Sequence, residues 1–139
     1  MKKEQIELTQ NWLKKAKNDL ISARKLSSGE DITLDTAIYH CQQAVEKCLK
    51  GYLYYYNIDF PKTHDIRVLV SLSMQNDEEF SILQEGAELL TPMAIEYRYP
   101  DDIFEPDYSE FLEAYKVSNE IHLFVLNKLH VGKNNVFNP

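Results

Sequence analysis

Four polar groups in this chain have the residue types and spacing to do chemistry: the triplet His40, Gln43 and Lys47, the pair His64-Asp65, the lone Arg98, and the acidic pair Asp101-Asp102. At about 100° per residue, His40, Gln43 and Lys47 form a narrow polar stripe at i, i+3 and i+7 on one side of a helix, with Lys50 and Tyr54 one turn further. An imidazole, an amide and an ammonium in line can hold an anion together, and the Tyr54 ring adds a face on which a base can stack. The same spacing also describes an ordinary solvated face. Asp101, Asp102 and Glu105 offer carboxylates of the kind a hard cation takes. Loop acids ahead of a helix serve more often as caps and dipole partners, and no metal site is expected. His64-Asp65 reads in two ways as well, as ligand groups or as the opening of a helix.

The elements that must position these groups are helical throughout. Opposite the stripe, Ala37, Ile38, Cys41, Ala44, Val45, Cys48 and Leu49 make an apolar arc wide enough for a bundle core. Ahead of it, Trp12, Leu13, Ala16, Leu20 and Ala23 share one face of a first helix that Ser27-Ser28-Gly29 ends. Thr33 or Asp35 can cap the second helix, which runs to about Tyr56. Thr63 or His64 opens a short third helix, with Asp65 in its first turn. Asn76-Asp77 starts a fourth helix that Pro100 stops after Arg98. Pro106-Asp107 opens a last helix from Tyr108 to about His130, apolar on nearly every side in its final turns, and therefore central or covered by another subunit. The expected fold is all-α: an up-and-down bundle of four long helices with one additional short helix. It forms one domain over 1–131, followed by a loose tail at 132–139.

Bulk numbers narrow the function. At 139 residues the chain is long enough for one core without a disulfide or metal staple. Cys41 and Cys48 lie two turns apart on one face, about 10 Å of rise, which is too far for a disulfide, so both read as reduced core residues. No apolar run reaches membrane-spanning length and no signal core opens the chain, so a cytoplasmic protein is expected. The net charge is −7 and unevenly spread: residues 1–26 carry seven Lys/Arg against three acids, while residues 77–120 carry thirteen acids against two bases. That distribution lacks the broad basic footprint of a nucleic-acid binder. With four glycines in all and no Gly-rich loop, a nucleotide would be held by side chains between helices.

The string Tyr39-His40-Cys41-Gln42-Gln43-Ala44-Val45-Glu46-Lys47-Cys48-Leu49-Lys50-Gly51-Tyr52-Leu53 resembles the signature helix of HEPN domains (higher eukaryote and prokaryote nucleotide-binding). Three further blocks agree in order: Trp12, Ala16, Asp19-Leu20 and Ala23; then Lys62-Thr63-His64-Asp65; then Tyr97-Arg98-Tyr99-Pro100-Asp101. Together they cover about residues 5–130. The resemblance implies the helical bundle, a homodimer through the last helices, and a small nucleotidyltransferase as partner, in the manner of toxin–antitoxin-like pairs. It also implies a nucleotide such as ATP or GTP as ligand, with Lys47 and Arg98 on phosphates and His40, Gln43 and Tyr54 on the ribose or base. Lys50, His64, Asp65 and Asp101 would support that site. Members that cleave RNA carry an Arg followed within one or two turns by a His, the Arg holding phosphate and the His moving the proton of the 2′-hydroxyl. Here the first histidine after Arg98 is His122, so a toxin-like ribonuclease is the weaker expectation and no catalytic residue is assigned. A dimerisation or interaction module without a ligand is the alternative.

Overall fold

The helix that carries the polar stripe stands at the centre of the molecule. The computed structural model describes residues 3–96 and 105–130. It contains α1 (Lys3–Leu26), α2 (Leu34–Tyr55), α3 (Ile66–Asn76), a 3₁₀ segment (Glu78–Leu83), α4 (Gln84–Glu96) and α5 (Tyr108–His130), with no strand among the described residues. α2 touches each of the other four helices. Fourteen of its 22 residues are buried, among them the polar Gln42, Glu46 and Lys50. A helix enclosed to that extent cannot leave its polar side chains to water, so each must find a partner inside the fold.

α1 runs antiparallel to α2 along its whole length. At one end the Gln5 amide donates to the carbonyls of Tyr54 and Tyr55, at 3.3 and 3.0 Å, reinforcing the C-terminus of α2. That terminus closes as a Schellman turn, with Ile58 N–H on Leu53 O and Asn57 N–H on Tyr54 O. Asn57 takes the left-handed φ of 58° that the turn requires. In the middle the two helices come very close: a Cβ at Gly51 would lie 2.9 Å from Cβ of Trp12. Glycine is what lets the indole-bearing turn of α1 seat against α2.

Two local expectations need correction. Asp65, not Thr63 or His64, is the N-cap of α3: its carboxylate accepts from Arg67 N–H at 3.0 Å, while Thr63 Oγ1 accepts from Asp65 N–H. The fourth helix does not begin at Asn76-Asp77. Asp77 is extended (φ −150°), caps the 3₁₀ segment through Glu79 N–H, and delays α4 to Gln84. Local side-chain bonds of an aspartate compete with helix continuation, and Lys128 on α5 reinforces this one at 2.8 Å. α5 opens with a reciprocal capping box, Asp107 accepting from Glu110 N–H and Glu110 accepting from Asp107 N–H.

The core is one cluster running from Leu13 and Ala16 on α1 through Ile38, Val45 and Leu49 on α2 to Ala114, Ile121 and Leu129 on α5. Cys41 and Cys48 are free thiols within it, each pushed up to about 12 by burial. No helix among the described residues is long and apolar enough to cross a membrane.

Candidate functional site

The polar stripe of α2 faces α1, and a carboxylate waits there. Asp19 Oδ1 lies 2.8 Å from His40 Nδ1 and its Oδ2 lies 2.7 Å from Lys47 Nζ. Asp19 is 10% exposed at the side chain, His40 30% and Lys47 26%. The result is a half-buried cluster in which one acid bridges two bases spaced two helical turns apart. Sequence position explains it: Asp19 follows Ala16 by three residues and precedes Ala23 by four, so it sits on the small-residue face of α1 that packs on α2. Gln43 donates to the Gln42 side chain at 3.1 Å.

Lys50 does not continue this stripe. It turns away to Glu46, at 2.9 Å, in a second cluster on the flank of α2 facing the start of α3. The Glu46 carboxylate, 5% exposed, also meets His64 Nδ1 at 3.0 Å. Gln42 donates to the His64 carbonyl at 2.7 Å, so the connector before α3 is tied to α2 through backbone and ring together. The reason is angular: at about 100° per residue Lys50 is turned some 60° from Lys47, enough to move it from the α1 side to the α3 side. His64 itself keeps its ring largely in solvent, 71% exposed.

The remaining assigned residues are spread apart. Asp65 caps α3 and pairs with Arg67 at 2.9 Å, and that guanidinium holds its carboxyl below the usual carboxylate range. Tyr54 is half-buried at the end of α2, its carbonyl taken by Gln5. Its neighbours in the tyrosine run serve as packing: Tyr52 is in the core against Phe80 and bonded to Asn76, and burial raises its hydroxyl. Arg98 and Asp101 lie outside the described residues. The structure thus brings His40 and Lys47 together through Asp19, and Lys50 and His64 through Glu46.

The residues that organise both clusters, Asp19, Glu46 and Gln42, stand in the sequence only among the carriers of the family resemblance, with no site role assigned to them. Asp19 carried a readable signal, a carboxylate inside an arc of alanines on an otherwise apolar helix face. Glu46 and Gln42 look like surface residues until α2 is known to be enclosed on every side. Among the described residues no group of His, Cys, Asp and Glu is arranged to hold a metal ion.

Chemically, the Asp19 cluster can hold two helices together with charge-assisted bonds. As an anion site it has a competitor already in place, since a phosphate must displace Asp19 from Lys47. No curated protein and no solved structure matches the chain. The family model for the HEPN domain, in contrast, matches residues 9–129, which takes in both clusters and most of every helix, and the chain belongs to the HEPN domain family.

Proposed function

We propose that this HEPN chain is an accessory interaction protein that works through its surfaces as a dimer and as the partner of a small nucleotidyltransferase. The observation that supports this most is the Asp19 carboxylate on both His40 and Lys47. The two bases best suited to phosphate or proton chemistry are bonded within the bundle, where they fix α1 on α2. Apolar surface lies elsewhere, along α5, where Tyr108, Leu112 and Leu123 are about half exposed at 51%, 47% and 58%. At about 100° per residue these three share one face, which suits the self-association expected of the last helix.

The test reads the genomic neighbourhood for a small nucleotidyltransferase gene and co-expresses its product with this chain, followed by size-exclusion chromatography and calorimetry. The expected result is a stable complex, and no heat from the chain alone with ATP or GTP at millimolar concentration. Failure to co-elute at tens of micromolar overturns the partner assignment.

A second reading keeps the nucleotide on the stripe. In its favour, His40 and Lys47 retain 30% and 26% exposure, so an anion arriving from solvent can reach both. In that case Lys47→Ala and Arg98→Ala each weaken ATP binding by about ten- to a hundredfold, the equivalent of a charge-assisted bond of ~1.5–3 kcal/mol.

A further inference from the structure

A groove of about 300 Å³ runs between the Ile82–Leu89 stretch and α5. Its walls are Ile82, Leu83 and Leu89 on one side and Val117 and Ile121 on the other, with Gly86 between them. The glycine sets its form: a Cβ there would meet Val117 Cγ1 at 2.8 Å and Ile121 Cδ1 at 3.1 Å. Ile82 stands at the mouth with 72% of its surface exposed, the most open of the large apolar residues among those described. The polar groups on the rim are all carboxylates, Glu85, Glu113 and Glu120. Lys116 reaches Glu120 only at 4.0 Å, and both side chains are mostly exposed, so this pair neutralises little.

Geometry and charge specify the occupant. Ile82, Gly86 and Leu89 are spaced i, i+4, i+7, and Glu113, Val117 and Ile121 are spaced i, i+4, i+8. The groove is therefore about two helical turns long, on the order of 10 Å. Two turns is the length over which an inserted amphipathic helix presents apolar anchors at i, i+3/i+4 and i+7. A rim of carboxylates without a basic counterpart rejects an acidic ligand and attracts Lys or Arg beside those anchors. The sequence that supplies the groove is acidic as well, residues 77–120 holding thirteen acids against two bases.

We propose that this groove is the docking site for a basic amphipathic helix of a partner protein, its Leu or Ile anchors over Gly86 and its Lys or Arg side chains on Glu85, Glu113 and Glu120. The assignment rests on the interaction-protein reading. It lies on a different side of α5 from Tyr108, Leu112 and Leu123, so it is compatible with a dimer formed there.

The probe is a dye-labelled 18-residue Leu/Lys peptide with leucines at helical spacing, compared by fluorescence anisotropy with a scrambled Leu/Lys peptide and a Leu/Glu peptide of the same pattern. Expected is binding of the patterned Leu/Lys peptide alone. Ile82→Asp, and separately the triple change Glu85→Gln, Glu113→Gln and Glu120→Gln, should each weaken it at least tenfold, while the same charge removal at Glu30 and Asp31 leaves it unchanged. These positions are exposed, and circular dichroism checks that the variants fold as wild type does. Equal binding of the scrambled peptide, or indifference to Ile82→Asp, overturns the proposal. So does a wild-type dimer in sedimentation that Ile82→Asp converts to monomer, because the groove is then covered by a second copy. No nucleotidyltransferase enters this assay, so its failure leaves the complex-formation test of the functional reading standing.

Discussion

Replacing Asp19 by Asn tests whether the polar stripe of α2 is a helix-to-helix staple. The amide keeps the shape of the side chain and can still accept a hydrogen bond from Lys47, so the change isolates the charge. Two bonds, at 2.8 and 2.7 Å, lose their ionic character. A charge-assisted bond contributes about 1.5–3 kcal/mol. The bases, 30% and 26% exposed, recover part of that by turning to water. A net loss of about 1–2 kcal/mol is expected, which lowers Tm by roughly 3–7 °C for a domain of this length. The decisive measurement is a double-mutant cycle in urea with Lys47→Met. Removing the ammonium first should leave Asp19→Asn only its effect on the His40 bond, giving a coupling of about 1 kcal/mol. Additivity within about 0.3 kcal/mol refutes the staple, and the two bases would then be available for a ligand.

Gly51→Ala places a methyl 2.9 Å from Cβ of Trp12; despite a helix-propensity gain of about 1 kcal/mol it should destabilise by about 1–2 kcal/mol in urea unfolding. His122 Nε2 is buried without a hydrogen bond, and burial, with Lys17 adding to it, depresses the pKa of the ring. The unfolded chain therefore takes up the proton first, so stability should fall as pH drops below about 6.5. His122→Leu should flatten that slope and raise stability by about 1 kcal/mol, read by denaturant titration at pH 7 and 5. Lys128 holds the Asp77 carboxyl below its usual range, so this contribution is present above about pH 4 and is lost as pH falls further. Asp77→Asn, which keeps the cap, should cost about 1 kcal/mol at pH 7 and progressively less as acid protonates the wild-type carboxyl.

The helices were legible because their signals are local. Ala16 and Ala23, and Ile38 and Val45, announce a face from spacing alone, Pro106-Asp107 announces a helix start, and the structure uses them in those roles. The break at Asp77 was not legible, because it depends on Lys128, about fifty residues away on α5. The surroundings of the site residues were less legible. His40, Gln43 and Lys47 do lie on one face of α2, and the reading of that face as open came from counting only α2's own residues. What closes it is Asp19, contributed by a different helix. Lys50 was grouped with Lys47 although about 60° separates them, which is enough to give it another neighbour and another partner.

The same comparison bears on what membership of the HEPN family conveys. The string that carries the resemblance is the most enclosed helix in the fold, and its polar residues are spent on neighbours: His40 and Lys47 on Asp19, Lys50 on Glu46, and Glu46 and Gln42 on the connector at His64. Charged residues in such a helix specify which elements pack on it and in what register, because each leaves a buried charge uncompensated if its partner is displaced. In this chain such a motif fixes architecture. The surfaces proposed for binding lie where α2 does not reach, on the exposed face of α5 and in the acid-rimmed groove at Gly86, so substitutions there should leave the core undisturbed.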